Sequence, residues 1–326
     1  MNYTKTYHTT AYPSISPSLP SLSAVSKTVL IVGASSGIAQ ETARAFLEAG
    51  CLRLALVSRW NNNPNSNPKP NVVVAKLRGE FPRAQIEAFA ADICDRAALE
   101  AAFVGARKAF AGSAEGGEKG KIKIDVVINC AGYQPTLAPL AKIEARPTSG
   151  DGQAQAQQTD LKEWWRGFEI NVLGAATLAQ VIASHAGSSL STNVNSDTSE
   201  SESESDPETG TGTGTGGVVL LQLGTAGALF PAQAQMPMSG YAVSKLALVK
   251  LMEYFGAENP SSLRVVTVHP GIVPTTEGGK KMVRESGVEW PGDDSKSPSL
   301  SFAFFLCMLI RSFFSQIARS LLGLGR

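Results

Sequence analysis

The sequence lacks an excess of charge of either sign. Its 326 residues carry 29 lysine and arginine residues against 28 aspartate and glutamate residues, a net charge of +1 at pH 7. Binding to nucleic acid therefore has no electrostatic support, because surfaces that bind phosphate backbones are strongly basic. We expect no nucleic-acid partner.

Cysteine and histidine are also scarce. The four cysteines are scattered without a C-x-x-C pair, and the three histidines lie far apart in the chain. This pattern offers no metal-ligand spacing, and free thiols in a reducing compartment are its default interpretation. We therefore expect no metal site and a cytoplasmic protein.

Long apolar runs are missing as well. Residues 1–27 are rich in Ser, Thr and Pro and lack the apolar core of a signal peptide, so we expect an extended arm. Near the other end, Phe302–Ile310 is apolar over nine residues, whereas a membrane-spanning helix takes about 20. Helical spacing of apolar residues in 293–326 predicts an amphipathic tail that docks on the domain or makes a peripheral membrane contact. A frameshifted or mis-spliced terminus is the alternative explanation of this segment.

Apolar strand-like runs do alternate with helical stretches over residues 28–292. This alternation predicts one α/β domain built on a doubly wound parallel sheet of the Rossmann type. Within it, the valine-rich Val72–Lys76 is predicted to be a strand or strand fragment. Residues 187–216 are a Ser/Asp/Glu run followed by alternating Gly and Thr, which predicts a disordered surface insertion.

A glycine-rich turn follows the first predicted strand. Val29–Val32 runs into Gly33-Ala34-Ser35-Ser36-Gly37-Ile38, and a helical stretch follows. Glycines let the backbone approach a pyrophosphate, and a helix N-terminus adds N–H donors and a favourable dipole. The context favours dinucleotide binding, although an ordinary turn between strand and helix would have the same pattern.

The second strand ends at Ser58-Arg59. In dinucleotide-binding folds an acid near this point holds the adenosine ribose, while an arginine accommodates a 2′-phosphate. The pair therefore favours NADP, with NAD as the alternative. Arg59 could equally be a solvated loop residue.

Tyr241 and Lys245 stand four residues apart, ahead of an apolar helical run. At that spacing the two side chains share one helical face. A cation beside a phenol favours the phenolate, so we expect the pKa of Tyr241 to fall from about 10 toward neutral pH. Such a group is a general acid/base for an alcohol or carbonyl, although the spacing also arises by chance in many helices.

Taken together, six elements between residues 27 and 276 resemble the classical short-chain dehydrogenase/reductase family. They occur in the family's order, and residues 4–10 look like the N-terminal arm of a group of fungal members. The six are Gly33-x-x-x-Gly37-Ile38, Asp92, Asn129-Cys130-Ala131-Gly132, Asn171, Tyr241-x-x-x-Lys245 and Pro270-Gly271-Ile272-Val273-Pro274-Thr275.

The resemblance implies a role for each matched position. Tyr241 would be the general acid/base, Lys245 would lower its pKa and bind the nicotinamide ribose, and Asn171 would hold a proton-relay water. The remaining positions would bind the cofactor: Gly33, Ser35, Ser36, Gly37, Ile38, Arg59, Asp92, Ile93, Asn129, Ala131, Gly132, Pro270, Gly271, Ile272 and Thr275. A small carbonyl or alcohol substrate and a homo-oligomeric state are expected.

The serine that normally donates to the substrate oxygen is missing. Thr225 takes its place in the preferred alignment, and Gly224 does so after a shift of one residue. A threonine keeps the hydroxyl donor but adds a methyl group, whereas a glycine would remove the donor, a loss of about 2.7–4 kcal/mol by analogy with an oxyanion donor. The alternative function is a catalytically impaired nucleotide-binding protein with a regulatory or interaction role.

Overall fold

The structure is a computed structural model of the chain. It describes residues 16–35, 37–60, 70–111, 122–143, 160–187, 217–229, 231–232 and 237–270, together with Lys280 and Arg284. The predicted arm before residue 16, the insertion from 188 to 216 and the tail 293–326 lie outside the described residues. The predicted domain bounds, 28 and 292, stay predictions.

Six parallel strands form one sheet in the described part of the chain. Their order across the sheet is β3-β2-β1-β4-β5-β6. This confirms the predicted α/β class with a doubly wound parallel sheet. The strands are β1 Thr28–Val32, β2 Arg53–Ser58, β3 Gln85–Ala90, β4 Val126–Asn129, β5 Val218–Leu223 and β6 Leu263–Val268.

The central strands are buried along their whole length. Every residue of β1, β4 and β5 is buried. Helices cover both faces of the sheet, so successive residues of a strand meet different layers. Val29 and Ile31 contribute to one apolar cluster, whereas Leu30 and Val32 contribute to the other.

The helices that flank the sheet follow the strands in alternation. Residues of α1 and α2 pack in the cluster around Val29, and residues of α3, α5 and α6 pack in the cluster around Leu30. A π-helical turn, Glu169–Leu173, joins α4 to α5. The helices are α1 Ile38–Glu48, α2 Pro70–Glu80, α3 Arg96–Ala111, α4 Leu161–Phe168, α5 Gly174–Gly187 and α6 Ser239–Glu258.

The prediction of a strand at Val72–Lys76 is wrong, because these residues lie within α2. Val73, Val74 and Leu77 are buried against the sheet, while Val72 is exposed. This spacing is that of one helical face. The helix begins at Pro70, a residue that suits the first helical position, so packing and the start signal outweigh the β preference of valine.

One described helical stretch, Leu161–Ala186, is long and apolar enough to span a membrane by length and composition. It comprises α4, the π-helical turn and α5, and its most apolar window has a mean hydropathy of 1.2. Half of that window is buried inside the protein, as in the core helix of a globular domain.

Candidate active site

The predicted site residues gather at the carboxyl ends of the central strands. The sheet order reverses between β1 and β4, since β1 leads to β2 on one side while β4 leads to β5 on the other. Ligands of open parallel sheets bind in the crevice at such a reversal. Gly33 directly follows β1, and Asn129 is the last residue of β4.

The glycine turn after β1 is held by backbone hydrogen bonds. The N–H groups of Gly33 and Ala34 both donate to Val57 O in β2, at 2.8 and 3.1 Å. Gly33 has a φ of +83°, and a Cβ there would lie 2.6 Å from the backbone nitrogen of Ala131. The turn therefore presses against the segment after β4, a packing that only glycine allows.

Helix α1 begins without a side-chain cap. Gly37 occupies the cap position with a φ of 54° and makes no side-chain hydrogen bond to the first turn. Gln40 Nε2 donates back to Ser35 O at 2.8 Å, which ties the turn to the helix. Backbone N–H groups at an uncapped helix start can bind an anion. Ser36 lies outside the described residues.

Three further predicted positions follow β2 and β3, namely Arg59, Asp92 and Ile93. Ser58 is buried, whereas Arg59 is exposed beside the strand that accepts the hydrogen bonds of the glycine turn. Asp92 Oδ1 accepts a hydrogen bond from Cys94 N at 2.9 Å. Ile93 is buried and lies so close to α5 that a Cβ on Gly174 would be 2.7 Å from its Cγ2.

Tyr241 and Lys245 lie on α6, and the Lys245 ammonium is 5.9 Å from the centroid of the Tyr241 ring. Lys245 is only 4% exposed, and its Nζ donates to Leu223 O at 3.0 Å. Burial lowers the pKa of Lys245 to about 8 and raises the pKa of Tyr241 to about 12.

The expected fall in the pKa of Tyr241 is therefore wrong for the protein without a ligand. Burial disfavours the charged forms of both groups, and it outweighs the attraction between a phenolate and the ammonium. At neutral pH Tyr241 is a protonated phenol.

Asn171 lies in the π-helical turn and is buried beside this pair. Its Oδ1 accepts from Tyr133 N at 2.8 Å, and its Nδ2 donates to Tyr133 O and to Ser244 Oγ, both at 2.9 Å. A Cβ on Gly132 would be 3.4 Å from both Asn171 Oδ1 and Lys245 Nζ. The structure thus brings Gly132, Asn171, Tyr241 and Lys245 together.

The two candidates for the missing serine, Gly224 and Thr225, have different surroundings. Gly224 is buried, and a Cβ there would lie 2.7 Å from Thr267 Cγ2 in β6, which leaves no room for a hydroxyl. Thr225 is partly exposed, and its Oγ1 accepts from Gly227 N at 3.2 Å. An acceptor role still leaves the O–H proton of Thr225 to donate.

Sequence reasoning missed Glu163, which anchors the segment after β4. Its Oε1 accepts from Tyr133 Oη and from Thr136 N, both at 2.9 Å. Residues eight apart in a regular α-helix are about 80° out of phase. The π-helical turn winds more slowly, which lets Glu163 and Asn171 face the same segment. The start of α4 was readable, since Asp160 Oδ1 caps Glu163 N at 2.6 Å, but the pairing with Tyr133 was not.

Gln222 was also missed. It is 1% exposed within the otherwise apolar β5. Its Oε1 accepts from Asn129 Nδ2 at 2.8 Å, and its Nε2 donates to Leu223 O at 3.1 Å. A glutamine inside an apolar strand was the available signal, because a buried amide needs hydrogen-bond partners.

Of the last motif, only Pro270 belongs to the described residues. It follows β6 and is partly buried. Gly271, Ile272 and Thr275 lie outside the described residues.

The chain matches a family profile described as short chain dehydrogenase over residues 27–202, more than half of its length. The matched segment contains the glycine turn, Asp92, Asn129 and Asn171. It ends before β5, so Tyr241 and Lys245 lie beyond it.

Two fungal relatives and one solved structure are similar over most of the chain. The short chain dehydrogenase/reductase AacuD of Aspergillus aculeatus is 28% identical over 275 residues, 83% of this chain and 72% of the relative. A short chain dehydrogenase/reductase of Claviceps purpurea is 24% identical over 300 residues, 91% of this chain and 78% of the relative. The crystal structure of a short chain dehydrogenase from Shigella flexneri has a TM-score of 0.58 at 18% identity, covering 89% of this chain and 87% of that one. The chain belongs to the short-chain dehydrogenase/reductase family.

Proposed function

We propose that the protein transfers a hydride between NADP(H) and a small carbonyl or alcohol substrate, with Tyr241 as the general acid/base. Family membership makes it an NAD(P)-dependent oxidoreductase acting on CH–OH or C=O groups. The finer proposal is carried by one observation: a buried lysine lies one helical turn from Tyr241, with Asn171 and Gly132 beside it.

The residues at the sheet reversal fit a dinucleotide. The uncapped start of α1 suits the pyrophosphate, and the bare backbone of Gly132 leaves space next to Lys245. When bound, NADP(H) supplies or accepts the hydride at its nicotinamide ring. In this proposal Gly33, Ser35, Ser36, Gly37 and Ile38 hold the pyrophosphate, Asp92 and Ile93 the adenine, and Asn129, Ala131, Gly132, Lys245, Pro270, Gly271, Ile272 and Thr275 the nicotinamide side.

Arg59 supports NADP over NAD. It is exposed at the end of β2, where its side chain is free to meet a 2′-phosphate, and Ser58 supplies no competing carboxylate.

The protonation state of Tyr241 suits reduction of a carbonyl. A phenol whose pKa is raised to about 12 is protonated at neutral pH, which is the form that donates a proton to a developing alkoxide. Thr225 would donate a second hydrogen bond to the substrate oxygen. Asn171 fixes the backbone of Tyr133, so it keeps the segment after β4 in place beside Lys245.

The test is NADPH oxidation by the purified protein with a panel of ketones and aldehydes, in parallel with Tyr241→Phe. Removing the acid should lower kcat by about 10²–10⁴-fold while NADPH binding persists. Tyr254→Phe is the matched control, because Tyr254 is an exposed tyrosine on the same helix. Equal activity of the Tyr241→Phe and Tyr254→Phe proteins would contradict the assignment of Tyr241.

A second candidate is a nucleotide-binding protein with impaired catalysis and a regulatory role. The presence of Thr225 in place of the family's usual serine favours it. It predicts tight NADPH binding without turnover of any carbonyl, and no gain of activity in Thr225→Ser. Turnover by the wild-type protein would exclude it.

A homo-oligomer is part of the proposal. Leu161 and Trp165 on α4 and Val243 and Leu246 on α6 are exposed apolar side chains, and a second copy of the chain could cover them. Sedimentation velocity tests this, since a single species of monomer mass would contradict it. The cytoplasmic location and a peripheral membrane contact through residues 293–326 stay predictions from the sequence.

A further inference from the structure

A chain of buried hydrogen bonds links the ends of β4 and β5 to Lys245. Asn129 Nδ2 donates to Gln222 Oε1 at 2.8 Å, and Gln222 Nε2 donates to Leu223 O at 3.1 Å. The same Leu223 oxygen accepts from Lys245 Nζ at 3.0 Å. Asn129, Gln222 and Lys245 are each at most 4% exposed. We call these three side chains and the Leu223 carbonyl the buried amide chain.

The buried amide chain also reaches the turn after β4. Asn129 Oδ1 accepts from Ala131 N at 3.0 Å, and the next residue, Gly132, is the one whose Cβ would lie 3.4 Å from Lys245 Nζ. The hydrogen bonds therefore run from this turn through two amide side chains and back to the lysine. Their members come from three elements, so moving one of them changes the geometry of the others.

Hydrophobic packing does not explain why a glutamine occupies position 222 in β5. Burying an amide costs free energy unless its groups are hydrogen-bonded, and each of the other residues of this strand is apolar. Both ends of the Gln222 amide are used, one as an acceptor from Asn129 and one as a donor to Leu223. A carbonyl oxygen can accept two hydrogen bonds, so Gln222 fixes Leu223 O without excluding Lys245.

The charge of Lys245 is not balanced by an anion among the described residues. The titratable groups that face it are Tyr241 on its own helix and Cys130 after β4. Burial raises the pKa of each to about 12, so both are neutral at neutral pH. Among the described residues, the hydrogen bond from Lys245 Nζ to Leu223 O is consequently the contact that favours the ammonium form of Lys245.

We propose that Gln222 is a positioning residue that acts through Leu223 O to hold the Lys245 ammonium beside Tyr241 and to keep it charged. This inference rests on the proposed function, in which Lys245 acts on Tyr241 and the cofactor. Gln222 itself touches neither substrate nor cofactor.

Two substitutions of Gln222 should shift the pH at which Lys245 loses its proton, and they should shift it in opposite directions. Gln222→Leu removes the donor that fixes Leu223 O, so the proton of Lys245 should be lost about one pH unit lower. Gln222→Glu keeps an acceptor for Asn129 and brings a carboxylate near the lysine, so the proton should be lost at higher pH. Thr267→Val is the matched control, because Thr267 pairs with Gln222 across β5 and β6 but lies outside the buried amide chain.

The primary readout is the titration of Lys245 by NMR in the full chain with ¹³C at lysine Cε, assigned by the loss of its signal in Lys245→Met. This measurement does not require turnover, so it decides the inference even if the protein reduces no carbonyl. Opposite shifts in Gln222→Leu and Gln222→Glu, with none in Thr267→Val, are expected. A merely structural role for Gln222 would lower Tm without the downward shift in Gln222→Leu, whereas the upward shift in Gln222→Glu is expected from the added charge alone and shows that the titration responds to it.

If the wild-type protein turns over, the alkaline limb of its kcat profile should move in the same directions as the NMR midpoints. Should Gln222→Leu fail to fold, Gln222→Met decides instead, because it also lacks the amide donor but keeps an unbranched side chain of similar length. A Lys245 midpoint within about 0.2 of a pH unit of wild type, roughly the resolution of such a titration, in Gln222→Leu, or in Gln222→Met where that variant replaces it, would overturn the inference.

Discussion

The proposed site has a nucleotide side and a catalytic side, and these two sides are held by different kinds of bond. On the nucleotide side, at the ends of β1 and β2, the turn is fixed by backbone N–H groups of Gly33 and Ala34 that donate to Val57 O. On the catalytic side, at the ends of β4 and β5, the bonds come from the buried side chains of Asn129 and Gln222. The geometry of the nucleotide side therefore depends on glycine, which has no side chain, whereas the geometry of the catalytic side depends on which side chains are present.

The largest effect is expected from a side chain placed in the nucleotide turn. In Gly33→Ala the new Cβ would lie 2.6 Å from the backbone of Ala131, at a φ of +83° that alanine rarely adopts. Strain and overpacking together should lower the free energy of unfolding by about 2–6 kcal/mol and weaken NADPH binding. Urea denaturation measures this.

The control for that change is Gly79→Ala. Gly79 lies in α2, and a Cβ there meets nothing within 4 Å. This variant should gain about 1 kcal/mol from helix propensity. A Gly33→Ala protein as stable as Gly79→Ala would show that the nucleotide side tolerates side chains after all.

The catalytic side should show its dependence on charge in Lys245→Met. The pKa of Lys245 is about 8 in the folded protein against an ordinary value of 10.5 for a solvated lysine, so the unfolded chain binds more protons between these values. The lysine therefore costs stability below about pH 8, and this cost disappears as the pH rises toward 10.5. Lys245→Met should exceed wild type in free energy of unfolding by at least about 1 kcal/mol at pH 7, and by less at a pH of about 9.5.

The matched control is Lys250→Met, since Lys250 is an exposed lysine on the same helix. Comparing the two variants separates the effect of burying an ammonium from the effect of replacing any lysine on α6. An advantage of Lys245→Met that grew as the pH rose from neutral toward the ordinary pKa of lysine would contradict the depressed pKa.

A smaller loss of stability is expected when Glu163, the carboxylate that anchors the segment after β4, is replaced. Glu163→Ala leaves the Tyr133 hydroxyl and the Thr136 N–H without their acceptor, which should cost about 1–3 kcal/mol of stability. Because this segment borders the site, KM for the carbonyl should rise more than kcat falls. Glu163→Gln keeps an acceptor oxygen and should lose less. Equal losses in the two variants would argue against a hydrogen-bonding role.

The smallest effect is expected on the nucleotide side, at an exposed charge. Arg59→Ala should reduce the preference for NADPH over NADH by about tenfold, or ~1.4 kcal/mol, because it removes the cation nearest the predicted 2′-phosphate. Arg83→Ala is the control, since Arg83 is exposed just before β3, at the amino ends of the parallel strands, whereas Arg59 follows the carboxyl end of β2. Binding titrations with both nucleotides measure the ratio. If the ratio of the NADPH and NADH affinities were unchanged in Arg59→Ala, the argument for NADP would be lost.

The fold and the glycine turn after β1 could be predicted from the sequence because their signals are local. Glycine spacing at Gly33 and Gly37 and the apolar runs of the central strands are readable without knowing what packs against them. The error at Val72–Lys76 shows the limit of such signals. There the burial of Val73, Val74 and Leu77 decided the structure, and burial depends on the whole fold.

The catalytic side could be predicted only in part, because its contacts join distant residues. The spacing of Tyr241 and Lys245 was readable, but their pKa values depend on burial that no spacing reveals. Glu163 meets Tyr133 across 30 residues, and Asn129 meets Gln222 across 93. Such pairs become visible only when strands and helices have been assembled.

The central position of β1 sets the order in which the chain can fold. Val29 pairs with Leu54 on one side and with Val126 on the other, so its second partner comes 97 residues later. Pairing over such a distance is slow, and during synthesis β1 can pair only with β2 until β4 has left the ribosome. Throughout that interval one edge of β1 has no partner strand, although all five residues of β1 are buried in the final structure. An apolar strand edge that stays open during synthesis is a site for aggregation, so the interval between the synthesis of β2 and that of β4 exposes the nascent chain to this risk.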